Sequence, residues 1–246
     1  SDLDIGMNDW VVPRFRWDDG YRPDRGKVLT AEQLEAGARF ARYLDVDGDH
    51  VPYRTLPGAH PRGAYFTRGS GHDSHARYTE DGAGYMEVVD RLARKVDAAA
   101  LALPEPETRP SAGADIGIVT IGGCRGAVQE ACERLEAAGI RADMLRIRGF
   151  PFHPSVTAFL ERYPRTFVVE QNRDAQLLRM LAMETGVARD RMTPVLLYDG
   201  LPASPGRVVR AIMEALGIED ATGTNGRPPG LPAPGAPEPA DADLEI

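Results

Sequence analysis

The sequence predicts an α/β fold with a parallel sheet in the C-terminal half of the chain. Four short, strongly apolar runs follow residue 114, and each of them leads into a segment with helical periodicity. A strand inside a parallel sheet is apolar on both faces, and these runs have that pattern. Their alternation with helices indicates strand–helix–strand crossovers that pack against one shared sheet.

The four strands are predicted at the runs DIGIVTI, ADMLRIR, TFVVE and PVLLY, which begin at residues 115, 142, 166 and 194. Helices are expected after each run, and the helix after the second strand opens at Pro154, because proline suits the first helical turn. Glycine is favoured just beyond a helix. The expected C-terminal stops are therefore Gly139, Gly186 and Gly217.

The N-terminal part of the chain is predicted to be irregular up to about residue 30 and then helical. Thr30 and Gln33 have the spacing of a capping box. The apolar side chains that follow at helical spacing are Leu34, Ala38, Ala41 and Leu44.

A second amphipathic helix is expected from the spacing of Tyr85, Val88, Leu92 and Val96. The proline-rich run LALPEPETRPSAGA interrupts the pattern after it, and we interpret that run as an interdomain linker. The last stretch of the chain contains six prolines and almost no large apolar side chains, so we expect disorder there.

Composition and charge exclude several classes of protein. The sequence is 42% hydrophobic and 27% charged, and no apolar run approaches the ~20 residues that span a bilayer. A net charge of -8 argues against general binding of nucleic acid, which needs a basic surface. Two cysteines cannot form a disulfide framework or a four-thiolate cluster. We therefore expect a cytoplasmic protein with neither a nucleic-acid nor a membrane partner.

The polar segment, residues 58–81, is the densest concentration of possible site residues. It contains three histidines, of which His72 and His75 flank Asp73 at a spacing that two metal ligands could use. The arginines of the segment would repel a dication, however, so no metal site is predicted. The alternatives are a segment that faces an anion, where arginines supply forked donors, and a plain polar surface loop.

Other motifs favour ordinary structural roles. The aspartates of DVDGDH alternate as in a calcium loop, but His50 and Leu56 stand where an EF-hand needs glycine and glutamate, so an acidic turn is expected. The run EQNRD ends a predicted strand, where open sheets bind ligands, yet helix caps or interface groups are the favoured interpretation. Cys124 follows a glycine turn at a helix start, and we expect a packed or partly exposed thiol.

Several motifs together resemble one enzyme family. SDLDIGMNDW, DRGKVLTAEQLE, DVDGDHVPYRTLPGAHPRGAYFTRGSGHD, ARYTED, GCRGAVQEACERL and FVVEQNRDAQL occur in this order. The order is similar to that in the alpha subunit of 2-oxoacid:ferredoxin oxidoreductases, especially the 2-oxoglutarate branch. The resemblance runs from Ser1 to about Gly217, with Ala59 standing where the family favours threonine. The absence of an initiator methionine adds the expectation that the chain is a fragment.

The resemblance implies a domain arrangement. Residues 1–105 would be the end of a pyrimidine-side thiamine-diphosphate domain, and residues 106–113 the linker. Residues 114–218 would form an α/β domain like the transketolase C-terminal domain, and residues 219–246 the disordered tail.

The resemblance also implies an activity, which is the decarboxylation of a 2-oxo acid with coenzyme A as co-substrate and ferredoxin as electron acceptor. Thiamine diphosphate and magnesium would be bound mostly outside this chain, and an iron–sulfur cluster by a partner beta subunit. The alternatives are a pyruvate or branched-chain 2-oxo acid enzyme, and a non-catalytic binding or assembly module. No catalytic residue is assigned, and Arg68, His72 and Asp73 are the expected residues of a cleft or interface loop.

Overall fold

The computed structural model describes residues 18–67 and 69–218. Within them the chain divides by its contacts into two units. The loop unit comprises residues 18–107, without residue 68, together with residues 147–158. The sheet unit comprises residues 108–146 and 159–218. The sequence did not indicate that residues 147–158 group with the loop unit. The predicted disordered tail, residues 219–246, lies outside the described residues, as do residues 1–17.

The sheet unit contains a five-stranded sheet with the order β1-β3-β2-β4-β5. β2 pairs in parallel with β4, which in turn pairs in parallel with β5. The prediction of an α/β fold with a parallel sheet is therefore confirmed. The strand bounds are Glu107–Arg109 (β1), Ile116–Ile121 (β2), Ala142–Ile147 (β3), Thr166–Glu170 (β4) and Met192–Leu196 (β5).

A short strand, β1, lies within the proline-rich run that we interpret from the sequence as an interdomain linker. Its three residues fall inside the predicted linker 106–113 and form an edge strand next to β3. An edge position tolerates the neighbouring prolines, because one side of an edge strand needs no ladder hydrogen bonds.

Helices cover both faces of the sheet. One face carries an apolar core that includes Ile118 of β2, Val128 of the helix after β2 and Ile212 of the last helix. Gly117 points to the opposite face, where a Cβ atom would lie 2.7 Å from Tyr163 and 2.8 Å from Phe159. The six helices are Ala31–Glu35 (α1), Gly82–Ala98 (α2), Arg125–Ala137 (α3), Pro154–Arg162 (α4), Gln176–Thr185 (α5) and Pro205–Leu216 (α6).

The predicted helix ends in the sheet unit are confirmed. Gly139, Gly186 and Gly217 follow α3, α5 and α6, and all three have positive φ angles, which glycine adopts at little steric cost. Pro154 is the first residue of α4.

The first predicted helix is much shorter than its apolar spacing indicated. Thr30 and Gln33 form the capping box as predicted, but α1 ends at Glu35. Gly37 has a φ of 91°, which breaks the helix before Ala38, Ala41 and Leu44. Those side chains therefore do not form a helical face.

α2 was predicted correctly as a helix, but its buried side differs from the predicted one. Val88 and Arg91 are its buried residues. The other predicted face residues remain half exposed, at 50% for Tyr85, 43% for Leu92 and 49% for Val96. Because an arginine occupies the buried side, hydrophobic spacing alone could not identify that side.

Within the described residues, none of the helices has both the length and the apolar character needed to cross a lipid bilayer.

Candidate functional site

The polar segment folds around a cleft in the loop unit. The cleft has a volume of about 570 Å³, and Thr55, His60 and Tyr65 are among its lining residues. Residues Pro61–Gly63 form a single 3-10 turn at its edge. A cleft of this volume is in the range that small-molecule sites occupy.

Gly63 allows the close packing at the floor of the cleft. The hydroxyl of Thr55 donates a hydrogen bond of 2.7 Å to the Gly63 carbonyl. A Cβ atom on Gly63 would lie 2.9 Å from Cγ2 of Thr55 and 3.0 Å from Cδ1 of Leu34. Since Leu34 belongs to α1, this contact joins the polar segment to the short helix.

His60 connects the cleft to α1. Its Nδ1 accepts from the Arg62 backbone N–H at 3.1 Å, so its Nε2 carries the proton and donates to Glu35 Oε2 at 2.8 Å. The Arg62 guanidinium donates to the carbonyls of Leu34 and Glu35 at the end of α1. Both side chains therefore have partners that fix the segment in place.

His72 and Asp73 shape the second half of the segment. The imidazole of His72 stacks on the Tyr43 ring at a centroid distance of 4.0 Å and donates from Nδ1 to the Asp73 carbonyl at 3.1 Å. The Asp73 carboxylate accepts from the backbone N–H groups of His75 and Arg77, both at 2.9 Å. Burial raises the pKa of Asp73, but these hydrogen bonds outweigh it and hold the pKa below its ordinary value.

His72 and Asp73, two of the three predicted cleft residues, are neighbours in the sequence, and neither is among the residues that line the 570 Å³ cleft. His72 and Asp73 both order the backbone of the polar segment through local contacts. Arg68, the third residue, lies outside the described residues. The role of the three residues as a set therefore stays a prediction.

Three carboxylates gather in the acidic turn that the sequence predicted. Asp45, Asp47 and Asp49 offer oxygen atoms within 4.8 Å of one another, and no other such group of possible metal ligands occurs in the described part of the chain. The Lys27 ammonium donates to Asp47 at 2.6 Å and to Asp49 at 2.7 Å. A protein cation therefore already pairs with two of the three carboxylates.

The Lys27 contacts also shift the pKa values of Asp49 and of Lys27 itself. The hydrogen bond from Lys27 is the main cause that holds the pKa of Asp49 below its ordinary value. Burial lowers the pKa of Lys27, but the two carboxylates outweigh it and raise that pKa. Both shifts are typical of a structural ion pair.

At the carboxyl end of β4, the EQNRD run caps a helix, as the favoured interpretation predicted. Glu170 is 1% exposed, and its carboxylate accepts from the backbone N–H groups of Leu177 at 2.8 Å and Leu178 at 3.2 Å. The Asn172 side-chain oxygen accepts from the N–H groups of Asp174 and Gln176. Both side chains therefore satisfy donors at the start of α5.

The two cysteines of the chain are both buried. Cys124 lies in the turn before α3 and is fully buried, which agrees with the packed thiol that the sequence favoured. Burial raises the pKa of the Cys132 thiol to about 11. A thiol with that pKa is protonated at neutral pH and is a poor nucleophile or metal ligand.

Arg91 is the site residue that the sequence analysis missed. It lies on the buried side of α2, is 5% exposed and donates to the His50 carbonyl at 2.9 Å. The sequence could have indicated its burial, because Arg91 follows Val88 by three residues and residues three apart share one face of a helix.

No family model matches the sequence. Among solved structures, the chain is similar to 2-oxoglutarate:ferredoxin oxidoreductase from Magnetococcus marinus, solved with 2-oxoglutarate, coenzyme A and succinyl-CoA bound. The TM-score is 0.64 at 23% sequence identity, and the match covers 72% of this chain. This chain has the fold of part of that enzyme. It spans 31% of the matched chain, and at this identity the likeness extends to the fold alone.

Two further similarities are weaker. The alpha chain of a probable 2-oxoacid ferredoxin oxidoreductase from Thermoplasma acidophilum is 27% identical, and the match covers 46% of this chain and 97% of that chain with a TM-score of 0.33. A split gene transketolase, an inactive beta4 tetramer, is 19% identical, and the match covers 46% of this chain and 42% of that chain with a TM-score of 0.38. Neither TM-score is high enough to carry an argument about this chain.

Proposed function

We propose that this chain is part of the alpha subunit of a 2-oxoglutarate:ferredoxin oxidoreductase. The observation that carries the proposal is the likeness of fold to such an enzyme over 72% of this chain. The six ordered motifs of the sequence support it independently, because they resemble the same family. In this proposal residues 1–105 belong to a pyrimidine-side domain and residues 114–218 to a transketolase C-terminal-like domain.

The proposed reaction is the thiamine-dependent oxidative decarboxylation of 2-oxoglutarate. The substrate loses carbon dioxide, its succinyl group passes to coenzyme A, and two electrons pass to ferredoxin. The partners are a beta subunit and ferredoxin, and the proposed location is the cytoplasm. The fragment is proposed to be inactive by itself.

The residues that the structure describes do not fit a magnesium–diphosphate site, and the two cysteines of the chain do not fit an iron–sulfur cluster. Among the described residues, the one group of three carboxylates has two members, Asp47 and Asp49, paired with Lys27. Both cysteines of the chain are buried, whereas an iron–sulfur cluster commonly takes four thiolates. We therefore propose that those groups are bound mostly by other parts of the complete enzyme.

We assign to this chain the shaping of a cleft at the active-site side or a subunit boundary. His72 would keep the polar segment in one conformation through its stack on Tyr43, and Asp73 through its two backbone hydrogen bonds. Arg68 is proposed from the sequence alone as a further residue that helps order this segment. Pre-ordering such a segment matters because small misplacements of reacting groups cost much of the rate.

The test is ferredoxin reduction by the complete enzyme that contains this chain. We expect reduction to require both 2-oxoglutarate and coenzyme A, and to be slower with pyruvate or a branched-chain 2-oxo acid. A preference for one of those acids would replace the proposed substrate within the same family. Failure of every 2-oxo acid would contradict the enzyme proposal and favour the assembly module.

The same assay tests the role of the polar segment. His72→Ala and Arg68→Ala should each lower turnover or assembly, with a loss of turnover of about ten- to a hundredfold if the cleft is misplaced. His75→Ala is the matched control, because His75 is exposed and lies outside the Tyr43 stack. Unchanged turnover and assembly in both of the first two variants would exclude the role.

A further inference from the structure

A second, smaller cavity lies in the loop unit beside α2. Its volume is about 160 Å³, and Tyr43, Ser74, Arg91 and Arg94 are among its lining residues. It shares no lining residue with the cleft of the polar segment. The cavity has room for one small polar group.

Arg91 is a buried cation with incomplete hydrogen bonding. One of its terminal nitrogens donates to the His50 carbonyl, while its Nε has no hydrogen-bond partner among the residues that the structure describes. A guanidinium carries five N–H donors and no acceptor. Burying such a group is costly unless an anion and further acceptors accompany it.

The charges around Arg91 favour an additional anion. Burial lowers the pKa of the Arg91 guanidinium below its ordinary value. Asp45 acts in the opposite direction, and the positive charges of Arg42 and Arg94 add to the lowering. Arg91 and Arg94 thus both line the cavity, and Asp45 is the carboxylate whose charge acts most strongly on Arg91.

Two carboxylates, those of Asp45 and Glu87, also line the cavity, and the hydrogen bonds of Asp45 go to the acidic turn rather than to Arg91. Asp45 accepts from the backbone N–H groups of Gly48 at 2.9 Å and His50 at 3.0 Å, and it lies 3.3 Å from the His50 ring. These contacts fix Asp45 in the acidic turn. Glu87 is an exposed residue on α2.

We propose that this cavity is a binding site for a compact oxyanion, a phosphate or carboxylate group, with Arg91 and Arg94 as its cationic ligands. Arginine suits both groups because its planar fork can donate two parallel hydrogen bonds. The Ser74 hydroxyl can supply a further donor from the wall of the cavity. The site is independent of the proposed enzymatic activity.

The experiment is isothermal titration calorimetry of the full chain with inorganic phosphate in one arm and succinate in the other. Chloride at the same ionic strength is the reference. We expect saturable binding of at least one probe to a single site. Phosphate binding alone would indicate a phosphoryl group as the ligand, and succinate binding alone a carboxylate.

Variants of α2 distinguish this site from general attraction by positive charge. Arg91→Met, which keeps the apolar stem, should weaken binding at least about tenfold, and Arg94→Gln about three- to tenfold. Lys95→Gln removes the same charge from the exposed neighbouring position and should change the affinity by less than about twofold. Lys95 does not line the cavity.

Arg94→Gln keeps the test decisive even where Arg91→Met fails to fold, because Arg94 is exposed. Circular dichroism of each variant identifies such a failure. The proposal is overturned when neither probe binds the wild-type chain at millimolar concentration, as expected if Glu87 neutralises Arg91. It is also overturned when Lys95→Gln weakens binding as much as Arg94→Gln does.

Discussion

Glu170 shows how one buried charge is accommodated by the start of a helix. The free N–H groups of a helix N-terminus carry partial positive charge, and they point toward an anion placed there. The Glu170 carboxylate accepts two of these N–H groups, and the Asn172 side chain donates to the same carboxylate. The start of α5 therefore explains why a glutamate occupies position 170. The end of a parallel strand is also a common place for ligands, but no ligand is needed to account for this residue.

Glu170→Gln should destabilise the fold by about 1.5–3 kcal/mol, since charge-assisted hydrogen bonds become neutral and an amide N–H₂ meets backbone donors. Urea unfolding followed by circular dichroism measures the free energy of unfolding. Glu184→Gln on the exposed side of the same helix is the control, with an expected change within about 0.5 kcal/mol. Equal effects of the two substitutions would contradict the capping role.

A second buried carboxylate, Asp143, is held by groups from two segments of the sheet unit, one just after β1 and one at the end of α4. It accepts from the Ser111 N–H at 2.7 Å and from the Tyr163 hydroxyl, and Arg162 lies 3.3 Å away. Burial, together with the hydrogen bond to Asp143, raises the pKa of Tyr163 to about 12. Tyr163 therefore remains a hydrogen-bond donor at neutral pH. Its hydrogen bond, together with those described above, accounts for the burial of the Asp143 carboxylate.

At the scale of elements, α1 depends on tertiary contacts for its stability. Five residues are far too few for a helix to be stable alone, because nucleation is unfavourable. The capping box satisfies donors at its start, and Arg62 and His60 of the polar segment bind groups at its end. The helix and the cleft therefore form together.

Gly63→Ala should destabilise the loop unit by about 1–3 kcal/mol, because the added methyl group overlaps Thr55 and Leu34. The free energy of unfolding in urea is again the measurement. For Gly82→Ala, the matched control at the first position of α2, a Cβ atom meets nothing within 4 Å, so no loss is expected. A Gly63→Ala variant as stable as wild type would show that the neighbouring side chains adjust without cost.

At the scale of the whole molecule, the chain accounts for only part of the proposed enzyme. It spans 31% of the matched oxidoreductase chain, and neither the carboxylate group of its described residues nor its two buried cysteines fits the expected cofactors. A catalytic role for this chain therefore depends on partners that supply those groups.

The isolated chain should fail to reduce ferredoxin with any 2-oxo acid in the presence of coenzyme A and thiamine diphosphate. The complete enzyme, assayed under identical conditions with the same ferredoxin, is the positive control. Turnover by the isolated chain without a beta subunit would contradict the assignment of the cofactor sites to other parts of the enzyme.

The sequence by itself determined the α/β class, the existence of the four main strands and the ends of three of their helices, although β5 begins two residues before the predicted run. Those features depend on local chemistry: apolar runs buried on both faces, glycine at positive φ and proline in a first turn. The capping box at Thr30 and the caps at the EQNRD run were predictable for the same reason.

Only the tertiary structure decided the strand order, the β1 edge strand and the side of α2 that is buried. Each depends on which distant residues meet, and Arg91 is buried because His50, 41 positions away, offers a carbonyl. The two cavities could not be predicted from the sequence either. The smaller one, for example, brings Tyr43, Ser74 and Arg91 together from separate segments. Periodicity records how residues repeat along one element, whereas a cavity depends on side chains that become neighbours only on folding.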